Sequence, residues 1–331
     1  MPDNAGVRRQ NLNQVRRVLW QGGQYTKLDI SRATGLSAAT CNTLLNELEQ
    51  AGEVVGRSRR TGGVGRSSVI YRCNEEAECF LGVSYQLIGG VKSVRAAVIS
   101  PLGRTAQWYE RRHEVLNYAA IEALTAQAAR EHPNISQILV GTPSIAEHGV
   151  VRHCDVPEME GVPLVRLLEE RFQLPVDMQN DIHYKAYGWY KKEGREKDIV
   201  TLAFFPSGVL PGTASVYQGT ILKGRNQFAG MVGFLPYAFD RAEEVKLLAW
   251  DTAIPLIVKA AASLIVSINP STIVFAGDLL NEERLGQVYT GCLAYIPREY
   301  MPEFRYTDEI DAYYLIGMYH KALDLKEEML R

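Results

Sequence analysis

Two short helical patterns joined by a glycine, then a hairpin rich in glycine and arginine, fill residues 26–72 and leave little choice of local fold. Thr26 with Asp29 three residues on has the form of a capping box and opens a helix over Lys27–Ala33. Gly35 ends that helix. Ser37 is a good N-cap for a second one, in which Cys41, Leu44, Leu45 and Leu48 recur at i, i+3, i+4 and i+7 as one apolar stripe, with Gly52 closing it. The opposite face carries Ala38, Ala39, Thr40, Asn42, Thr43 and Asn46. Small side chains mixed with amides and hydroxyls can approach base edges closely in a major groove. The pair reads as a helix-turn-helix, and Ser37, Ala38, Thr40, Asn42, Thr43 and Asn46 are its candidate DNA-reading residues.

Val54–Val55, the run from Arg57 to Arg66, and Val69–Arg72 read as strand, basic tip and strand, which is a wing. Arg57, Arg59, Arg60 and Arg66 are assigned to phosphates or a narrow minor groove, where the guanidinium fork suits the geometry. Upstream, Leu12, Val15, Val18 and Leu19 place a helix over residues 8–20, with Arg8, Arg9, Arg16 and Arg17 on its other faces. Charge is segregated accordingly. Residues 1–72 hold 11 Lys/Arg against 5 Asp/Glu, so a chain of formal net charge −2 has a strongly basic end that phosphates would attract.

At 331 residues with 46% hydrophobic and 22% charged residues, the chain can bury more than one core. No apolar run approaches a membrane span and the first residues are polar, so a cytoplasmic protein with no membrane partner is expected. Five scattered cysteines, never spaced as C-x₂-C, signal neither a disulfide framework nor a local zinc site. The acidic passage Cys73–Glu78 sets a boundary between a winged domain over residues 1–74 and a second domain over 75–331.

Beyond that boundary the pattern is α/β. Strands at Phe80–Gln86, Ser93–Ser100, Thr105–Glu114, Ile138–Gly141 and Pro175–Met178 are interleaved with helices at Tyr118–Glu131, Leu164–Phe172 and Asp181 to Lys192. The order then starts again, with strands at Ile199–Phe205, Ala214–Tyr217 and Thr272–Phe275, one long helix over Ala242–Ser267, and helices near Glu283–Ile296 and Ala312–Met329. A doubled unit of this kind, with a crevice between its lobes, is the ribonuclease H-like architecture of actin-like ATPases and sugar kinases.

Several passages in this order resemble the ROK family, which groups sugar-responsive repressors with sugar kinases. They are Gly35-Leu-Ser37 through Leu48 and the Thr61-Gly-Gly63 wing, then Gly141-Thr-Pro143 and Pro157-Glu-Met-Glu-Gly161. The run from Leu168 to Gln179-Asn-Asp181, the turns from Gln218-Gly219 to Gly233, and Ile268-Asn-Pro270 through Gly277 complete them. The resemblance implies a winged helix-turn-helix joined to a sugar-kinase-like domain, with Asn180 and Asp181 at a sugar-binding crevice and Asp181 in the place of the kinases' catalytic base. His183 is added as a candidate ligand residue, with Tyr184 and His153 as further substitutes.

The departures from the family point away from catalysis. The first phosphate turn of the kinases, acidic and threonine-bearing, falls in Gly82–Lys92, where Ser84 or Leu87 replaces the acid and Val91 the threonine. The second falls in Gly208-Val-Leu-Pro-Gly-Thr213, and Pro211 lacks an N–H. The family's zinc-binding histidine and cysteines have no counterpart after Gly233-Phe234, and its sugar-binding glutamate is Met231. The expectation is therefore a non-enzymatic transcriptional regulator without cofactor or metal. It would repress carbohydrate-related genes, bind a double-stranded operator as a homodimer, with tetramers left open, and sense a sugar or sugar derivative. Two alternatives stand beside it: an active sugar kinase with a DNA-binding arm, and a regulator that answers a protein partner instead of a ligand.

Overall fold

The computed structural model describes residues 4–59, 68–88, 90–194, 198–237 and 240–329. The chain begins with helix α1 (Asn4–Trp20), a two-residue strand β1 (Tyr25–Thr26), α2 (Lys27–Thr34) and α3 (Ala38–Gln50), followed by the hairpin strands β2 (Val54–Arg59) and β3 (Ser68–Cys73). The predicted caps are formed: the Thr26 hydroxyl accepts from the Asp29 amide while Asp29 accepts from Thr26, Gly35 closes α2 at φ 72°, and Ser37 caps α3. The three strands make one sheet in the order β1-β3-β2. Leu12, Val15 and Leu19 of α1, Ile30 of α2 and Cys41, Leu44, Leu45 and Leu48 of α3 are buried together over that sheet.

The remainder is built twice. Strands β4 (Cys79–Ile88), β5 (Val91–Ile99) and β6 (Thr105–His113) form an antiparallel meander, then α4 (Tyr118–Glu131) leads to β7 (Ile135–Thr142). A small β8 (Ile145–Glu147) and β9 (Val150–Arg152) ribbon, α5 (Leu164–Phe172), β10 (Val176–Asn180) and α6 (Asp181–Glu193) complete the first lobe. The second lobe repeats the meander with β11 (Ile199–Phe204), β12 (Gly212–Tyr217) and β13 (Thr220–Ile221), then α7 (Arg241–Leu247), α8 (Ile254–Ile268), β14 (Thr272–Ala276), α9 (Glu282–Cys292), β15 (Glu303–Tyr306) and α10 (Ile310–Met329). The sheets run β10-β7-β4-β5-β6 and β13-β12-β11-β14-β15. In both, the first strand of the lobe is central, antiparallel to its hairpin neighbour and parallel to the strand on its other side.

Because α6 and α10 each follow the last strand of a lobe, they are equivalent elements, and they pack on one another. Two glycines set the spacing. A Cβ on Gly188 would lie 1.8 Å from the Tyr313 carbonyl oxygen, and one on Gly317 would lie 1.8 Å from that of Tyr184. Only glycine lets the backbones approach so closely.

One expectation for the second lobe is corrected. The long helix over Ala242–Ser267 is two helices, α7 and α8, because Pro255 sits in the first turn of α8 and Thr252 Oγ1 donates to the Leu247 carbonyl at 2.8 Å in the break. Glu303–Tyr306 forms an additional strand that pairs in parallel with β14.

Candidate functional site

The base-reading face proposed for α3 lies in the open. Ser37, Ala38, Ala39, Thr43 and Asn46 are exposed and Thr40 and Asn42 half-buried, while Cys41, Leu44, Leu45 and Leu48 turn inward. Part of this face already has internal partners. Ser37 and Thr40 hydroxyls are hydrogen-bonded at 2.8 Å as part of the cap, Thr43 Oγ1 donates to the Ala39 carbonyl at 3.3 Å, and Lys27 Nζ donates to Asn42 Oδ1. Arg57 on β2 is exposed. Arg60 and Arg66 lie outside the described residues, and so does the side chain of Arg59.

Three arginines of α1 have acidic partners within the chain. Arg16 is buried and makes a two-pronged contact with Glu53 at 2.9 and 2.7 Å, Arg8 pairs with Glu47 at 2.7 Å, and Arg17 Nε donates to Glu327 of α10 at 2.7 Å. Burial alone would raise the Glu53 carboxyl, but the Arg16 hydrogen bond and the charges of Lys326 and Arg16 hold it below the usual range. Lys326 bridges Glu53 and Glu78, and Trp20 is packed among Phe80, Tyr314, Met318 and Tyr319. The winged unit thus sits on α10, the helix that also packs along α6.

At the N-terminus of α6 the two lobes enclose a cavity of about 120 Å³. Asn180 and Asp181 line it, with Ser144, His153 and Asp155 on the first lobe and Met231, Phe234 and Arg241 on the second. Asn180 is committed to the fold: its Nδ2 donates to the Ser144 carbonyl at 2.9 Å and its Oδ1 accepts from the Ile182 amide at 2.9 Å. Asp181 Oδ2 accepts from Lys185 Nζ at 2.6 Å, and that ammonium, one helical turn along, is nearly buried and lies 4.5 Å from the centre of the Phe204 ring. Phe234 is an aromatic hub, 6.0 Å from His153 edge-on, 5.0 Å from Phe228, and 4.4 Å from the Arg241 guanidinium above it.

His183 is a correction. It does not line the cavity, because two residues along a helix turn it about 200° away from Asp181. It is fully buried, neither ring nitrogen has a hydrogen-bond partner among the described residues, and burial pushes its imidazole down to about 4, with Lys223 lowering it and Asp181 raising it. Tyr184 is likewise internal, with its hydroxyl donating to Asp177 at 2.8 Å. His153 does line the cavity.

Comparison with known proteins matches the ROK family model to residues 90–244 and a model described as winged helix-turn-helix DNA-binding to residues 17–54. The stretch that matches the ROK family model is just under half of the chain. The chain is similar to a putative xylose repressor of Caldicellulosiruptor sp. (strain Rt8B.4), 24% identical over 253 residues, or 72% of this chain and 62% of the relative. It is also similar to the xylose repressor of Caldicellulosiruptor bescii, 25% identical over 228 residues, which cover 65% of this chain and 55% of the relative. The match therefore spans about three-fifths of the length of these relatives. In three dimensions the chain resembles a ROK family transcriptional regulator that is a homologue of the E. coli MLC protein, with a TM-score of 0.71 at 15% identity over 97% of this chain and 99% of that one. It resembles a ROK family glucokinase from Streptomyces griseus with a TM-score of 0.55 at 17% identity, over 73% and 98% of the two chains. These structural likenesses establish the shared fold.

The groups that kinases of the ROK family hold do not fit the residues of this chain. In the loop given to the second phosphate turn, the Ser207 amide donates to Asp278 Oδ1 at 2.7 Å and the Gly208 amide to the Leu248 carbonyl at 2.8 Å. Two amides are thus already used, one of them by a carboxylate that would repel phosphate, and Pro211 has none to offer. The place of a zinc-ligating histidine is taken by Phe234, whose ring offers no lone pair and is covered by a guanidinium. Among the described residues no group of three His, Cys, Asp or Glu is arranged to hold a metal, and no helix is long and apolar enough to cross a membrane. Two residues of the site escaped the sequence reading. Lys185 carried a signal, an acid-base pair at i, i+4 on one helix, whereas Arg241 carried none.

Proposed function

We propose that this protein is a DNA-binding transcriptional repressor of carbohydrate-related genes, in which residues 1–74 read the operator and residues 75–331 sense a sugar and dimerise. The observation that carries the reading is the uncovered polar face of α3, set on a winged unit that rests on the α6–α10 pair beneath the crevice. The names of the curated relatives, xylose repressors, support it. Asn46 and Asn42 would contact bases, and Arg57 with the wing arginines 59, 60 and 66 would contact backbone phosphates. A homodimer would present two such faces to two half-sites one helical turn or a multiple apart. The protein would work in the cytoplasm, where its DNA lies.

Catalysis is not part of this reading. Asp181 stands where the kinases keep their base, yet it is held by the Lys185 ammonium and faces loops whose amides are occupied. Sugar binding between the lobes would act by population shift, favouring one setting of α6 against α10 and so one placement of the winged units. The test is selection of bound fragments from a random DNA library by the full chain, followed by sequencing. An enriched inverted repeat, released by a sugar, is the expected outcome. Recovery of unenriched sequence would refute the regulator, and sugar-dependent ADP release from ATP would establish a kinase in its place.

A further inference from the structure

We infer that the effector is an acidic sugar, a ring of hydroxyls bearing one carboxylate, and that Arg241 is the residue that reads the carboxylate. This deepens the sensing role proposed above and rests on it. Among the described residues, the second-lobe wall of the crevice is apolar, with Phe204, Pro206, Leu210, Met231 and Phe234, except for Arg241. Arg241 has no carboxylate within ion-pairing distance among those residues, and its guanidinium is set in place over the Phe234 ring at 4.4 Å. Glu244, one turn along α7, does not serve as that partner: it is buried, and burial pushes its carboxyl up to about 7 although Arg241 opposes the shift.

The first-lobe wall has the opposite chemistry. Asp155 and the Asp181 oxygen not bonded to Lys185 are acceptors suited to sugar hydroxyls, and Asn180 is used up by the fold. With Asp181 balanced by Lys185, the remaining formal charges facing the cavity among the described residues are one guanidinium and one carboxylate. A single planar guanidinium matches a monovalent carboxylate in two-pronged geometry. A phosphate dianion would need a second cation to offset Asp155, and the described lining supplies none. A neutral sugar would leave the one polar group of its wall without a partner once the lobes close.

Isothermal titration calorimetry on the full chain tests this with rings that differ only at C5: xylose, glucose, glucuronate and glucose 6-phosphate, and the corresponding galactose series. In at least one series the uronate should bind roughly 10- to 100-fold more tightly than its neutral counterparts, the range of a charge-assisted hydrogen bond. In Arg241→Met that ratio should fall to within about threefold of unity. A neutral sugar binding as tightly as the uronate, a phosphate binding more tightly, or a preference that survives in Arg241→Met overturns the inference. If the variant fails to fold, the wild-type ratio alone decides. Absence of binding by every sugar in both series contradicts the sensing role itself, which keeps the two failures apart.

Discussion

Lys185 Nζ donates to Asp181 Oδ2 across 2.6 Å, one turn apart on α6, at the point where the two lobes meet. A carboxylate so held is an anchor for a nearly buried ammonium before it is anything else. Asp181→Asn strands that ammonium and should lower stability by about 1–2 kcal/mol, a figure reduced because Asp181 is partly exposed. Urea denaturation of the two proteins measures the difference, and unchanged stability would mean that the pair is incidental.

The contact between α6 and α10 predicts a contrast between two glycine substitutions. Gly188→Ala drives a methyl into the Tyr313 carbonyl and should cost about 3 kcal/mol or prevent folding. Gly286→Ala, exposed in the middle of α9 with nothing near its Cβ position, should gain about 0.5–1 kcal/mol from helix propensity. Thermal melts of both variants check the sign.

Burial pushes His183 and His320 down to about 4 from an ordinary value near 6.5. Both must bind protons on unfolding, so the stability they contribute is fully present above pH 6.5 and is lost as pH falls towards 4. For fully buried His183 the loss is on the order of 3 kcal/mol. Glu244, raised to about 7, works in the other direction: its contribution is present at low pH and is lost as pH rises through 7. His183→Phe should flatten the acid limb of a melting-temperature profile between pH 6.5 and 4. A profile of unchanged slope would contradict the burial of a neutral imidazole.

Trp20 and the Arg17–Glu327 pair hold the winged unit against α10. Trp20→Ala removes the largest apolar contact of that seam and should split a single calorimetric transition into two, the smaller belonging to residues 4–73. One unsplit transition would show that the two units were never coupled through this seam.

The winged unit was legible in the sequence because its signals are local: a capping box, a glycine stop and one apolar stripe each determine a turn or a helix without help from distant residues. The doubled lobes were legible from the repeated order of strands and helices. What escaped depended on tertiary contacts. Glu303–Tyr306 is a four-residue edge strand that exists because β14 lies beside it, and the break before Pro255 was hidden by an apolar pattern continuous on both sides. His183 looked like a ligand because it neighbours Asp181 in sequence, but helix geometry turns it to the interior. The partners of the α1 arginines were not legible either, since Arg16 and Arg17 bind Glu53 and Glu327, which lie 37 and 310 residues away. Arg241 could not be singled out, since only the fold brings it opposite Asp155.

The central claim is that the exposed face of α3 reads bases. The most direct measurement is fluorescence anisotropy of the full chain and Asn46→Ala on a selected operator and on single-base variants of it, at fixed salt. The account predicts that the substitution weakens operator binding by about 1–3 kcal/mol and erases discrimination at one base pair per half-site, while affinity for unrelated DNA stays the same. Equal weakening on every sequence, or no change on any, would contradict it.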